Sequence, residues 1–294
     1  MGAMRRLNTI ARDVRPDIIQ GWMYHGNLAA SLAHTLTSQS GKLFWGIRCS
    51  DMDLSDYSMQ LRLIVKLGAW TSTGPDIVIA NSQAGADVHR VMGYTPRRME
   101  VIANGIDIER FRPDEITRQQ IRLELGISPE QKVAMHVARV DPMKDHASLL
   151  TALSRVPDIV GVLIGAGTEQ LDLPPSVKAL GRRSDVARLL TAGDIIVSSS
   201  AFGEGFPNGL AEGMSCGLVP VVTDVGDSRL IVGDTGTIVP RSDPEALASA
   251  LSSLLAWPET RWDEARQSAR RRITEFFTLD TASSRFASIY GMAP

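Results

Sequence analysis

The chain has 294 residues, of which 44% are hydrophobic and 22% are charged, a globular balance that leaves no composition for a disordered tail. Since a domain usually takes roughly 100–200 residues, this length suits two domains. The formal net charge of -2 argues against a nucleic-acid-binding protein, because such proteins usually carry a basic excess.

The first part of the chain predicts short apolar strands that alternate with helices. The strands fit residues 17–23, 42–47, 76–80 and 99–103. The helices fit residues 4–14, 27–37, 57–71 and 82–92, the last with Ser82 at its amino end. This alternation is typical of a parallel sheet built from βα units.

A second series of elements follows a break at residues 104–107 and a linker at 111–115. Its strands fit residues 132–138, 159–165, 177–181, 194–198, 218–223 and 237–239. Its helices fit residues 145–154, 185–191, 208–216, 244–255, 259–276 and 280–290. Six strands suffice for a doubly wound sheet, whereas the first part has four, so we expect the first domain to lack a βαβ layer.

The loop that follows the strand at 194–198 predicts an anion-binding site. Glu204 lies in this loop, Pro207 suits the first turn of a helix, and Gly205 and Gly209 allow a ligand to approach the backbone. The backbone amides of Asn208, Gly209 and Leu210 would point at an anion. Glu212 lies one helical turn beyond Asn208, on the same face. The plainer alternative is that Glu204 caps the helix and that Glu212 lies on the surface.

A second cluster of charge, Arg139 and Lys144, comes at the end of the strand at 132–138 and just ahead of a helix. Arginine can donate two hydrogen bonds to a phosphate and lysine supplies a point charge. The pair therefore predicts a diphosphate site, although a surface ion pair is the alternative.

Three other motifs give weaker signals. Cys49 and Cys216 are far apart, which excludes a cysteine zinc site and favours a reducing compartment. Asp51 and Asp53 spell the D-x-D of metal-dependent transferases, but they lie far in sequence from the predicted anion site. Gly165 and Gly167 lack the third glycine of a dinucleotide fingerprint. No apolar run is long enough to span a bilayer and no signal peptide begins the chain, so we expect a cytoplasmic protein.

Taken in order, these segments resemble glycosyltransferase family four, the large retaining family with the GT-B fold. The resemblance spans about residues 15–256 and is strongest in the Glu-x7-Glu of Glu204 and Glu212 with its partners Arg139 and Lys144. Further matching segments are 101–107 (VIANGID) with Phe111, 165–167 (GAG) and 216–226 (CGLVPVVTDVG). Residues 20–25 (QGWMYH) and 45–48 (WGIR) are similar to the subgroup of bacterial polysaccharide and lipopolysaccharide transferases.

The resemblance implies a fold of two Rossmann-like α/β domains facing a cleft. Residues 1–110 would form a partial, acceptor-side domain, residues 111–275 the donor-binding domain, and residues 276–294 a helix that packs back toward the first domain.

The resemblance also implies roles for single residues. Arg139 and Lys144 would neutralise the diphosphate of a UDP- or GDP-sugar, Glu212 would hold the ribose, and Glu204 would face the transferred sugar. The backbone at Phe206, Pro207 and Asn208 would contact sugar and phosphate, Arg182 would lie near the base, and His25 would reach the sugar from the first domain. A histidine after a strand is otherwise more often structural.

The implied reaction moves a hexosyl unit to a glycan or lipid-linked acceptor with retention of configuration. It needs neither a metal nor another cofactor, because fixed cations and a helix amino end can stabilise the departing diphosphate. Peripheral contact with the inner face of the membrane would suit a lipid-linked acceptor. The family's glycine-rich loop after the first strand has no match here, and residues 168–176 are short for the family. Two alternatives therefore stay open: a nucleotide-sugar-binding module with little turnover, and a GT-B-fold nucleotide-sugar epimerase.

Overall fold

The computed structural model describes residues 2–36, 41–50 and 58–292, with the side chains of residues 3 and 4 excepted. Two compact units make up the chain. The first comprises Met1–Ala103 and Ser284–Pro294, and the second comprises Asn104–Ser283.

The first unit contains a four-stranded parallel sheet in the order β1-β2-β3-β4. Its strands are β1 (Ile18–Trp22), β2 (Lys42–Ile47), β3 (Ile77–Ala80) and β4 (Met99–Val101). Its helices are α1 (Gly2–Val14), α2 (Met23–Leu36), α3 (Met59–Thr71) and α4 (Gln83–Val91). Apolar side chains occupy almost every position of β2 and β3, so both strands are buried and form the centre of the unit's core.

The second unit contains a six-stranded parallel sheet in the order β10-β9-β8-β5-β6-β7. Its strands are β5 (Lys132–Val137), β6 (Ile159–Ile164), β7 (Val177–Ala179), β8 (Ile195–Ser198), β9 (Val219–Thr223) and β10 (Thr237–Val239). This is the doubly wound order. The sequence order of the strands reverses between the neighbouring strands β5 and β8, which are themselves parallel.

Helices cover the second sheet. They are α5 (Glu115–Glu124), α6 (His146–Ser154), α7 (Val186–Leu190), α8 (Asn208–Ser215), α9 (Ser228–Val232), α10 (Pro244–Leu255) and α11 (Glu259–Phe276). The last helix, α12 (Leu279–Tyr290), begins in the second unit, and its final residues pack in the first unit, where Tyr290 stacks on Phe44 with ring centroids 5.8 Å apart.

The predicted α/β class with parallel sheets is confirmed. All ten predicted strands are present, β2 and β10 with the predicted ends and the other eight with shifted ends. The start of one helix was predicted wrongly, and two helices were not predicted. The strand predicted to end at residue 23 ends at Trp22, because Met23 adopts a left-handed conformation with φ 61° and begins α2 four residues early. Helix α5 was not predicted; it begins at Glu115, where the predicted linker ends, and the Asp114 side chain accepts from the amide of Thr117 at 2.9 Å. Helix α9 was not predicted.

Of the helices that the structure describes, none is both long enough and apolar enough to cross a membrane.

Candidate functional site

The candidate site is a cavity of about 410 Å³ at the carboxyl ends of β5 and β8, where the strand order reverses. We call it the carboxyl-end cavity. Ligands of doubly wound sheets bind at this position, because the loops leaving the two strands diverge there. The cavity is lined by nine of the predicted site residues: Arg139, Lys144, Glu204, Phe206, Pro207, Asn208, Gly209, Leu210 and Glu212.

The two cations of the cavity each hold a carboxylate. Arg139 donates to Oδ2 of Asp141 through Nε at 3.2 Å and through Nη2 at 2.7 Å. Lys144 forms an ion pair with Oε1 of Glu204. The sequence analysis left a surface ion pair open as the alternative for these cations, but it identified neither Asp141 as the partner of Arg139 nor Glu204 as the ion-pair partner of Lys144.

Glu204 is buried and held in one orientation. Its Oε1 accepts from the hydroxyl of Ser200 at 2.6 Å as well as from Lys144. The carbonyl of Ser200 in turn accepts from the hydroxyl of Thr223 at 2.6 Å. This chain of hydrogen bonds links β9 to the loop and fixes the position of the carboxylate.

Gly226 also shapes the Glu204 loop. It has φ 57°, and a Cβ at this position would lie 2.2 Å from the carbonyl oxygen of Glu204, so only glycine fits. Sequence reasoning missed Ser200, Thr223 and Gly226 as residues that support the site. The run of Ser198, Ser199 and Ser200 at the end of a buried strand was the available signal.

The amino end of α8 faces the cavity. Pro207 precedes the helix with φ -72°, and the amide of Ala211 donates to the carbonyl of Pro207 at 3.3 Å. The three amides before Ala211 therefore have no acceptor within the helix and can meet an anion. A Cβ on Gly209 would lie 2.8 Å from the carbonyl oxygen of Val137, which explains the glycine and shows how closely α8 approaches β5.

Glu212 lies one turn inside α8 and is partly buried. Burial raises the pKa of this carboxyl, and the positive charge of Arg110 opposes the rise. Glu204 and Glu212 thus line one cavity in different surroundings: Glu204 is paired with Lys144, whereas desolvation raises the pKa of Glu212.

His136 also lines the cavity, but it is a buried residue that packs against His146, with ring centroids 4.9 Å apart. Its Nδ1 lies 3.0 Å from the carbonyl oxygen of Val197, which can only accept, so Nδ1 carries the proton. Burial lowers the pKa of His136 to about 3 and keeps the ring neutral.

Three predicted site residues do not line this cavity. Gly205 is buried behind it, where its carbonyl accepts from the amide of Asp227 at 3.1 Å. Arg182 is exposed after β7, two strands away from β5. His25 is exposed in the first turn of α2, in the first unit. Their predicted contacts with the base and the sugar stay predictions.

The predicted exclusion of a metal at Asp51 and Asp53 concerns residues outside those that the structure describes. Among the described residues, no group of three or more histidine, cysteine or carboxylate side chains could hold a metal ion.

Comparison with family models matches both parts of the chain. A model described as "Glycosyltransferase Family 4" matches residues 1–110, and one described as "Glycosyl transferases group 1" matches residues 131–256. The chain belongs to glycosyltransferase family four. The resemblance that was inferred from its sequence motifs is therefore confirmed.

Curated relatives carry the name D-inositol 3-phosphate glycosyltransferase. The protein from Rhodococcus erythropolis is 31% identical over 243 residues, which is 72% of this chain and 53% of that protein. The protein from Segniliparus rotundus is 26% identical over 262 residues, which is 81% of this chain and 56% of that protein. The chain therefore spans about half the length of these relatives.

Solved structures share the fold. The Anabaena protein Alr3699/HepE, solved in complex with UDP and glucose, superposes with a TM-score of 0.87 at 21% identity and covers 98% of this chain and 81% of its own. The lipopolysaccharide outer core galactosyltransferase WaaB has a TM-score of 0.68 at 17% identity, covering 98% of this chain and 79% of its own. The parallel α/β units are those of GT-B glycosyltransferase structures, as the sequence predicted.

Proposed function

We propose that this chain binds a nucleoside-diphosphate sugar in the carboxyl-end cavity and transfers its hexosyl unit, with retention of configuration, to a glycan or lipid-linked acceptor. The observation that carries the proposal is the convergence of two cations, two carboxylates and the amino end of α8 on one cavity where the strand order reverses. Such a set suits a ligand that has both phosphates and hydroxyls. The Anabaena structure with UDP and glucose supports the same class of donor.

In the proposed reaction the bond between the anomeric carbon and the diphosphate breaks, and the acceptor hydroxyl attacks the same face of the sugar. The acceptor's proton passes to the departing diphosphate, so no separate base is required. Negative charge grows on the diphosphate during this step. Once the donor is bound, Arg139, Lys144 and the amides that begin α8 stabilise this charge as it develops.

Glu204 serves as a fixed acceptor in this proposal rather than as a nucleophile. Its Oε1 already accepts from Lys144 and Ser200, which holds the carboxylate in place. From there it can accept from a sugar hydroxyl and stabilise the positive charge that develops at the anomeric carbon. Glu212, which is partly buried and closer to its neutral form, suits the hydroxyls of the ribose.

The test is a transfer assay with UDP- and GDP-hexoses in excess EDTA. Lipid-linked saccharides serve as acceptors, and inositol phosphate is added because the curated relatives are named for it. We expect release of the nucleoside diphosphate and, by NMR, a product with the anomeric configuration of the donor. Activity that EDTA abolishes and Mg²⁺ restores would contradict the metal-free reaction. A donor sugar isomerised without any acceptor would point to an epimerase instead.

A further inference from the structure

The two ion pairs of the carboxyl-end cavity differ in their exposure to solvent. The side chains of Arg139 and Asp141 are 64% and 28% exposed, whereas those of Lys144 and Glu204 are 17% and 7% exposed. An exposed ion pair contributes little to stability, so Arg139 can change partners easily. Separating the buried pair would leave two charges poorly solvated, so Lys144 and Glu204 stay together.

Asp141 uses its two carboxylate oxygens for different purposes. Oδ1 accepts from the backbone amide of Met143 at 3.0 Å and so caps the short 3-10 helix Pro142–Lys144. Oδ2 accepts from Nε and Nη2 of Arg139. Burial works against the charge of this carboxyl, but the hydrogen bonds from Met143 and Arg139 outweigh it and lower the pKa of Asp141, so the group is ionised at neutral pH.

We propose that Asp141 competes with the donor's diphosphate for Arg139 and thereby sets how tightly the cavity holds both donor and product. The inference rests on the proposed function, since it concerns the same cavity. Oδ2 occupies the guanidinium N–H groups that a phosphate oxygen would otherwise use. A nucleoside diphosphate must displace that oxygen and also lie near its negative charge.

The competition affects product release as well as binding. The nucleoside diphosphate left after transfer carries more charge on its terminal phosphate than it did in the donor, and a site with fully available cations would hold it strongly. When Asp141 again accepts the hydrogen bonds of Arg139, the diphosphate loses these contacts and the product leaves more readily. Since product release limits turnover in many enzymes, this exchange would favour turnover at the expense of affinity.

The test is Asp141→Asn, which keeps an oxygen to cap Met143 and replaces the oxygen that holds Arg139. We expect the Kd for UDP or GDP, measured by calorimetry at fixed ionic strength, to fall by about three- to ten-fold. Inhibition of transfer by UDP should strengthen by a similar factor, while the affinity for uridine, which has no phosphate, should not change. A loss of structure cannot produce tighter binding, so the direction of the effect is diagnostic.

Asp87→Asn is the matched control, because Asp87 pairs with Arg90 at 2.6 Å on α4 of the first unit and the change removes the same charge. It should leave the Kd unchanged. A second control repeats Asp141→Asn together with Arg139→Ala, where the gain should shrink by at least about half.

The outcomes separate this inference from the proposed function. If the wild type binds neither UDP nor GDP, the proposed function fails and this inference fails with it. If the wild type binds and Asp141→Asn binds equally or more weakly, only this inference fails. A gain that persists undiminished without Arg139, or that Asp87→Asn reproduces, would also overturn it.

Discussion

The two ends of the six-stranded sheet both bring basic side chains and carboxylates together, yet they use them differently. At the amino end, Asp194 is 1% exposed and accepts from Arg118 and Arg122 at 2.7 Å and from Arg266 at 3.0 Å. A cavity of about 830 Å³ lies beside it. At the carboxyl end, Arg139 and Lys144 face the smaller cavity beside the amino end of α8.

The larger cavity is the poorer anion site because the helices that begin beside it, α5 and α11, carry the acidic residues Glu115 and Glu259 in their first turns. It is lined by four arginines, Arg118, Arg266, Arg270 and Arg271, and by four acids, Asp114, Glu115, Glu259 and Asp263. Arg270 donates to the carbonyls of Phe111 and Ser215, and Arg266 pairs with Glu259 and Asp263 as well as with Asp194. Cavity volume alone therefore does not identify the functional end of the sheet. The amino end of α8 does, because it has no side-chain cap and no acidic residue in its first turn, so its amides can meet an anion.

The largest expected effect tests the structural end. Asp194→Ala should lower the free energy of unfolding by about 3–5 kcal/mol, because Arg122 is 5% exposed at its side chain and would lose its buried partner. Chemical denaturation measures the change. Asp87→Asn, at an exposed pair, should change it by less than about 1 kcal/mol, and equal losses in both variants would contradict the contrast.

The next effect separates the two glutamates of the functional end. Glu204→Gln should lower kcat on the order of 10²-fold, because the charge of Glu204 matters most as positive charge builds at the anomeric carbon. Glu212→Gln should chiefly raise the Kd of the donor, since ribose contacts are the same before and during the reaction. Steady-state kinetics with calorimetry measures both. Exchanged phenotypes would mean that the two roles are assigned the wrong way round.

A smaller effect is expected at Arg139. Arg139→Ala should weaken UDP binding by about 1.5–3 kcal/mol, the usual range for hydrogen bonds to a charged group. The free energy of unfolding should change by less than about 1 kcal/mol, because the pair with Asp141 is exposed. Calorimetry and denaturation on the same preparation give both numbers. A variant that loses stability but keeps its affinity would place Arg139 with the structural residues.

The smallest effect concerns the stability cost of the functional end. Burial raises the pKa of Glu212 above its usual value, so the unfolded chain loses this proton at lower pH than the folded protein does. The stability that the neutral carboxyl of Glu212 gives the folded protein is fully present below the usual pKa of glutamate. It is lost as the pH rises through the raised pKa of the folded protein. Glu212→Gln should therefore stabilise the protein at neutral pH, and this gain should disappear near about pH 4, where the carboxyl is largely neutral in both the folded and the unfolded chain. A loss of stability at neutral pH would contradict this assignment.

The sequence predicted most of the fold because the strands are continuous apolar runs. It predicted the residues of the site because the two glutamates flank a proline and glycines. It did not predict the start of α2, because the left-handed conformation of Met23 leaves no trace in a run that reads as a strand. It did not predict the pairing of Lys144 with Glu204, which are 60 residues apart and meet only because β5 and β8 are neighbours. Local patterns identify which groups the site contains, whereas tertiary packing decides which of them are paired.

The most direct test of the account is a crystal structure of the protein with UDP. We predict that the diphosphate lies in the carboxyl-end cavity, within hydrogen-bonding distance of Lys144, of Arg139 released from Asp141, and of the amides that begin α8. The ribose should contact Glu212. A nucleotide bound in the amino-end cavity, or one whose diphosphate contacts neither cation, would contradict the assignment of the functional end.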